Sequence, residues 1–498
     1  MISFMGNTLK AILSFVTGIL LARGLGPELY GVFSFLLASF IAMVALLEMG
    51  TSSAFFTFIS QRNRSKIFFA YYLGWLLIQF IIIILFIAVL APDQWVEQIW
   101  KNQSRQLVLT AFIAVFLQQQ IWTLIAQVGE SQRLTSRVQL INCSIALVHL
   151  ILIASLFLYE QLTLSRIYFF ISMEFVIAFI VGYKLLPIIY AENKEAFQEI
   201  VSEYWKYCLP LIPFAWVSMV MRFVDTWLLQ HFGGSVEQAY YAVSSQFATI
   251  SLIATASVLR ILWKEVADAQ EKGHMDQVRE IYHRTSRILF FLAAIISGFL
   301  IPWTPDIIRL FLGEEYIQGS FVMALMFLYP IHQSLGQVNG TMFYALQLTK
   351  PYVKIGIVFM IVSIIVVYFM LASPDSLIPG LGLASTGLAL KMVLLQFIGV
   401  NFSIWWLSRR QEWNYQILYQ IIGLLMFLLT GYLIYIFTNT IFNEELHIIF
   451  QMLFAGIIYI FSSILILYSF PNFLLGMKRM EINNYVVKFF LFIKKIKA

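Results

Sequence analysis

From Ser3 to Gly50 the chain reads SFMGNTLKAILSFVTGILLARGLGPELYGVFSFLLASFIAMVALLEMG. Two apolar runs, 3–22 and 30–50, flank the break Arg23-Gly24-Leu25-Gly26-Pro27. Each is about 20 residues long, enough for a helix to cross a hydrocarbon core of roughly 30 Å. The pair therefore reads as a membrane hairpin. The first run leads into Arg23-Gly24-Leu25-Gly26 and not into a small-residue cleavage site, so no cleavable signal peptide is expected.

The rest of the chain repeats this pattern. Of 498 residues, 60% are apolar and 12% charged, with a mean hydropathy of +0.83. Soluble domains run at roughly 45–50% apolar and about 25% charged. Too little polar surface remains to cover a water-soluble globule, which excludes a soluble enzyme, a secreted scaffold and a disordered chain. Fourteen spans are expected: 3–22, 30–50, 67–90, 107–127, 138–158, 167–187, 207–229, 238–260, 288–303, 319–346, 352–372, 382–407, 416–438 and 446–468. All read as helices, because open sheet edges are not viable in lipid and a barrel would need alternating strands of about ten residues. The fold class is an all-α polytopic membrane protein.

Charge sets the orientation. With the N-terminus inside, the inner segments carry 24 of the 32 Lys and Arg, the outer loops 5 and the spans 3. Positive loops are retained in the cytoplasm, so both termini are expected there. The basic residues are scattered between apolar runs, so the net charge of +6 does not point to nucleic acid. Cys143 and Cys208 lie in or beside apolar helices and suggest neither a disulfide framework nor a metal site.

A faint repeat organises the spans. Leu20-Leu21-Ala22-Arg23-Gly24-Leu25-Gly26 with Tyr30-Gly31-Val32-Phe33-Ser34 is echoed by Leu228-Leu229-Gln230-His231-Phe232-Gly233-Gly234 with Tyr241-Ala242-Val243-Ser244. Six helices separate the copies, so the repeat is parallel, with a pseudo-axis along the membrane normal. The expected organisation is an N-lobe over 1–190 (helices 1–6), an amphipathic cytoplasmic linker over 191–206 and a C-lobe over 207–407 (helices 7–12). Helices 13–14 over 408–475 and a basic cytoplasmic tail over 476–498 follow. The two six-helix lobes would face each other across a central cavity. Residues 260–287 read as a cytoplasmic helical hairpin; the linker and the 481–497 tail read as interfacial anchors.

Enzyme chemistry lacks support. No Walker A loop, His-Glu-x-x-His or Cys-x-x-Cys occurs, and the six Asp lie too far apart in sequence to chelate a metal for sugar-nucleotide transfer. The outer loops are too short to build a polymerase site. The informative residues are charges inside spans, which cost at least about 2.5–3.5 kcal/mol and normally face a cavity or a partner. Arg222 and Asp225 share one helix face at i, i+3. They suit either an anion-binding cation with its orienting acid or a self-neutralising structural pair. Arg23 closes the first span on the outer side, where it could grip a diphosphate or snorkel. Lys391, with no acidic neighbour on its own helix, suits either an anion site or a structural partner on another helix. Neutral polar groups in spans serve mostly as interhelical hydrogen bonds, and His332, Gln333, Gln337 and Asn339 in the tenth span suit that role or, being dense, the lining of a sugar-accepting cavity. Lys10 and Glu48 read as snorkelling residues, and His149 as satisfied packing.

The stretch Gly18–Gly31 resembles the opening of bacterial polysaccharide and O-antigen flippases, a family of the multidrug/oligosaccharidyl-lipid/polysaccharide exporter superfamily. Glu48-Met49-Gly50, Leu209-Pro210 to Pro213 with Arg222 and Asp225, Trp263 with Glu265, and Gly336 to Gly340 with Tyr344 and Lys350 follow in the family's order. The resemblance covers about residues 1–355. It implies a flippase moving an undecaprenyl-diphosphate-linked oligosaccharide across the bacterial cytoplasmic membrane for surface polysaccharide synthesis, O-antigen or capsule. Alternating access would run around a cationic cavity. Arg23, Arg222 and Lys391 would face the diphosphate, with Asp225, Gln337 and Asn339 completing the substrate site. Where the family often has Asp-Arg, this chain has Asp225-Thr226, and Arg222 one turn earlier would take the place of that Arg. No cofactor is expected beyond coupling to a proton or sodium gradient or the membrane potential. The partners that the resemblance implies are membrane lipid and polysaccharide polymerase machinery. The alternatives are a multidrug/cation antiporter, which would favour intramembrane carboxylates, and a lipid II or teichoic-acid exporter.

Overall fold

The computed structural model describes residues 2–192, 195–252, 255–442 and 447–481. Among them every regular element is helical and no strand occurs. The basic tail expected at 481–497 lies, from 482 on, outside the described residues.

The first of two compact units takes in Met1–Ala242 and Met360–Leu388. It opens with α1 (Ile2–Glu48), which carries both runs of the opening hairpin. Gly26 breaks it at φ 69°, ψ 170°, a conformation open to glycine, and Pro27 restarts the helix at its first position. The second run passes very close to the chain ahead of it. A Cβ added to Gly31 would lie 1.7 Å from the Ser235 carbonyl oxygen, so only glycine fits. Next come α2 (Thr51–Gln61), α3 (Lys66–Leu85), α4 (Asp93–Ile99), α5 (Arg105–Phe116) and α6 (Trp122–Ser131). They are followed by α7 (Thr135–Leu158), α8 (Leu164–Leu185), α9 (Phe197–Cys208) and α10 (Ile212–Phe232). Ser65, Ser104 and Thr163 cap α3, α5 and α8 by accepting the N–H three residues on. α1 packs chiefly on α7, α10 and α5. The expected linker helix is α9, which buries Ile200 and Tyr204 and leaves Phe197 and Trp205 exposed.

The second unit holds Val243–Phe359 and Ala389–Ala498. α11 (Gly234–Thr249) ends in a short tight turn at Ile250–Leu252, and α12 (Thr255–Glu271) follows, so the span expected over 238–260 is not one continuous helix. α12 and α13 (Met275–Leu300) form the helical hairpin expected over 260–287, with Gly273 at positive φ in its turn. α13 then continues without interruption into the ninth expected span, because buried Val278, Tyr282, Leu289 and Ala293, with only the small Ser286 between them, carry one apolar face throughout. The remaining helices are α14 (Thr304–Phe311), α15 (Ser320–Ala345), α16 (Thr349–Leu371), α17 (Ala384–Arg410), α18 (Leu418–Phe442), α19 (Ile448–Ser469) and α20 (Pro471–Leu474). The core is built where α13 meets α15 and α18, around Phe290, Phe291, Ile331, Leu335 and Phe427.

Eleven helices among the described residues are long and apolar enough to cross a membrane. One of these, Met5–Glu48, contains two of the fourteen expected spans. α11 and α15 are not among the eleven. α11 is short, and α15 carries the polar run His332–Asn339. All fourteen expected segments overlap helix, and the chain is a multi-pass membrane protein.

Candidate functional site

Two polar cavities lie among the long helices, one in each unit. In the first unit the junction of α5 and α6 is a single widened turn, Leu117–Ile121, in which the Trp122 N–H reaches the Leu117 carbonyl five residues back. Such turns disturb the side-chain register. Gln118 and Gln119 line a cavity of about 240 Å³ together with Lys10, Trp122, Asn142, His149 and Glu174. His149 Nδ1 lies 3.0 Å from Oε1 and 2.9 Å from Oε2 of the buried Glu174. Trp122 Nε1 donates to Asn142 Oδ1 at 2.9 Å. A carboxyl group buried in hydrocarbon needs a partner, and His149 supplies it. Glu174 is not among the residues that the sequence pattern singles out. His149 is indeed satisfied, but by an acid, and Lys10, read as snorkelling, stands on the cavity wall.

In the second unit a cavity of about 340 Å³ is lined from α15 by Gln333, Gly336, Gln337 and Asn339, from α16 by Tyr352, Gly356 and Phe359, and from α17 by Gln396, Gly399 and Ser403. Gln396 Nε2 donates to Gln333 Oε1 at 2.7 Å, and the Tyr329 hydroxyl donates to the same oxygen at 3.2 Å. Asn339, 2% exposed, accepts the Tyr282 hydroxyl at 3.2 Å. Of the six residues singled out as substrate ligands, Gln337 and Asn339 are thus brought together in one cavity.

The four charged candidates lie elsewhere. Arg23 is exposed on α1, just ahead of the Gly26 break, with no side-chain hydrogen bond or ion pair among the described residues. Arg222 is exposed on α10, and its carbonyl accepts the Thr226 hydroxyl at 3.1 Å. Asp225, one turn on, is half-buried. Lys391 is 2% exposed on α17, a cation kept inside a membrane-spanning helix.

A further buried cation sits outside the spans. Arg64, 1% exposed in the loop before α3, donates from Nη1 to Glu195 Oε1 at 2.8 Å and pairs through Nη2 with Glu203. Glu195 also accepts the Ser65 N–H at 3.0 Å and its hydroxyl at 2.8 Å. Burial acts to raise the Glu195 carboxyl, but these donors with Arg64 and Arg62 outweigh it and hold the group below the usual carboxylate range. This clasp ties the 195–203 segment to the end of α2 and the start of α3. Sequence alone offered no signal for it beyond an inner-loop Arg.

The profile of the family described as "polysaccharide biosynthesis protein" matches residues 1–262. Comparison with curated protein sequences finds no match. Among solved structures, a lipid II flippase MurJ in an inward closed conformation superposes with a TM-score of 0.64 at 15% identity, covering 93% of this chain and 98% of that one. An inward-facing multidrug resistance MATE family transporter of the MOP superfamily gives 0.61 at 16%, covering 81% and 96%. A MOP superfamily transporter from Pyrococcus furiosus gives 0.52 at 16%, covering 82% and 94%. At these identities the likeness establishes a shared fold.

Proposed function

From a chain that belongs to the polysaccharide biosynthesis protein family, we propose a flippase that moves an undecaprenyl-diphosphate-linked oligosaccharide from the inner to the outer leaflet of a bacterial cytoplasmic membrane. Both termini would be cytoplasmic, and translocation would proceed by alternating access. The observation that carries this reading is Lys391, a cation buried to 2% exposure in a membrane-spanning helix. A cation at that depth faces a cavity or a partner; Lys391 is already engaged within the protein, and in this reading an anionic headgroup would compete for it. Arg222 and Arg23 would add to the attraction for the diphosphate, with Asp225 orienting Arg222. Guanidinium groups suit phosphate because they can bind it bidentately. The amide-lined cavity of the second unit would accept part of the glycan. A gradient of protons or sodium, or the membrane potential, would supply the drive, and polysaccharide polymerase machinery would consume the product.

The test is to delete the gene in a strain with glycan initiation suppressed, restore initiation, and measure the sidedness of undecaprenyl-linked oligosaccharide with an impermeant glycosidase. Accumulation on the inner face is expected. Normal sidedness with an altered drug or cation phenotype overturns the reading in favour of an antiporter. A specific observation favours that second reading: the His149–Glu174 pair places a carboxylate inside the first unit.

A further inference from the structure

We propose that the cavity between α15, α16 and α17 is a binding subsite for a single uncharged sugar ring. The inference deepens the reading above and rests on it for the source of the sugar, a residue of the lipid-linked oligosaccharide.

Three features of the cavity carry it. The first is its hydrogen-bonding inventory. Its wall holds four carboxamides, Gln333, Gln337, Asn339 and Gln396, with hydroxyls from Ser403 and Tyr352, and no ionisable acid or base other than that phenol. Gln333 Oε1 is filled by Gln396 Nε2 and the Tyr329 hydroxyl. The Gln333 amide donors, the Gln396 carbonyl oxygen and the whole Gln337 side-chain amide have no protein partner among the described residues. Donors and acceptors thus stand side by side at one cavity. A sugar hydroxyl both donates and accepts, so it is the ligand chemistry that this mixture matches.

The second feature is shape. Tyr352, Gly356 and Phe359 fall on one stripe of α16, two rings with a glycine between them. A Cβ at Gly356 would meet nothing within 4 Å, so the gap between the rings is open space. Aromatic walls with a few convergent polar groups are the common design of small-molecule sites. The volume of about 340 Å³ falls at the small end of such sites, suited to one ring and not to an oligosaccharide.

The third feature is the missing charge. A uronate or a phosphate would have to leave water for a cavity lined by amides and rings, with no cation on its wall. That transfer is costly without a partner. The subsite therefore selects neutral over anionic sugars, and its affinity does not change with pH.

The experiment uses the full chain in lipid nanodiscs and saturation-transfer NMR with three probes: methyl glucoside, methyl N-acetylglucosaminide and methyl glucuronide. Transfer to one or both neutral glycosides is expected, equal at pH 6 and pH 8, with none to the glucuronide. Gln337→Leu removes the open amide and should weaken binding about tenfold. Gly356→Leu puts a side chain into the gap, where its Cβ meets nothing within 4 Å, so it should abolish transfer while the protein remains folded. Thr440→Val, on exposed α18 surface, is the control. Equal transfer to the glucuronide overturns the proposal, as does unchanged binding in Gly356→Leu or no transfer to any probe. The two readings fail separately. Glycoside binding with normal sidedness of the lipid-linked glycan in the deletion strain sinks the flippase reading alone. Altered sidedness without neutral-glycoside binding sinks the subsite alone.

Discussion

Replacing Arg64 by Met should release the segment that begins at Glu195. Arg64 is 1% exposed, its guanidinium carbon lies 4.4 Å from the Phe68 ring centroid and 5.2 Å from that of Phe58, and both its terminal nitrogens meet carboxylates. Methionine keeps the apolar packing and removes the charge. Breaking a fully buried pair from one side costs about 3–5 kcal/mol, because the other charge is stranded. Here Glu195 is 17% and Glu203 34% exposed, so both keep some water and the lower end, about 3 kcal/mol, applies. At about 1.4 kcal/mol per decade, local opening becomes roughly 150-fold more frequent. Hydrogen–deuterium exchange on the peptide 195–208 reads this directly, with α13 as the internal reference. Arg64→Lys should fall between the two, since one ammonium cannot fork to two carboxylates. Exchange in Arg64→Met within threefold of the parent chain would refute the reasoning and leave the clasp a surface pairing of little consequence.

The same clasp titrates in a defined direction. Glu195 is held below its ordinary value, so its stabilisation is complete above the unfolded carboxyl pKa of about 4.3 and is lost as pH falls through the lower folded value. Exchange of 195–208 should be flat from pH 5 to 8 after correction for intrinsic rates and rise only in acid; Glu195→Gln should remove that acid limb. His149→Leu strands the Glu174 carboxylate and should lower the thermal stability of the protein in detergent more than His149→Leu with Glu174→Leu, a coupling of about 1–3 kcal/mol by double-mutant cycle; additive effects would show that the pair is not coupled. Gly31→Val should abolish folded expression, because its Cβ meets backbone at 1.7 Å, while Gly74→Val, with nothing within 4 Å, should be silent; equal yields would refute the close approach. In the sidedness assay Arg222→Ala and Lys391→Ala should block export and Lys10→Ala should not; tolerance at Arg222, Lys391 and Arg23 together would remove the diphosphate assignment.

Hydropathy placed helices well because a membrane imposes one simple requirement on every spanning segment. It could not see where a helix stops inside an apolar run, as at the tight turn Ile250–Leu252, or continues beyond one, as α13 does. Gln337 and Asn339 were legible because several amides crowd one span. Glu174 was legible in principle. It lies about as far after the 159–163 turn as His149 lies before it, so an antiparallel pair of consecutive spans brings the two to one depth. Arg64 was beyond reach, because nothing local distinguishes it from Arg62, which is exposed and reaches Glu195 only at 3.4 Å. Its partners are about 130 residues away in sequence, and only the folded chain brings them together.

The two cavities also differ in a way that the faint sequence repeat does not foretell, and the difference is testable by adding charge. The first-unit cavity already holds Lys10, His149 and Glu174, whereas the wall of the second-unit cavity bears amides, hydroxyls and rings. Gln118→Glu would place its carboxylate in the cavity that Lys10, His149 and Glu174 line, so attraction to Lys10 offsets part of the desolvation and of the repulsion from Glu174. Gln337→Glu would place the same group among Gln333, Gln396, Tyr352 and Phe359 with no cation on the wall. An unpaired acid at a helix centre costs about 2.5–3.5 kcal/mol, and half-buried Gln337 should show at least about 1 kcal/mol of it. Thermal unfolding of the two variants in nanodiscs at pH 8 should therefore separate them, with Gln337→Glu the less stable and recovering at pH 5 as its carboxyl takes up a proton. Equal stability, or loss in Gln118→Glu alone, would mean that charge is not what distinguishes the cavities, and the case for a neutral sugar in the second would lose its electrostatic basis.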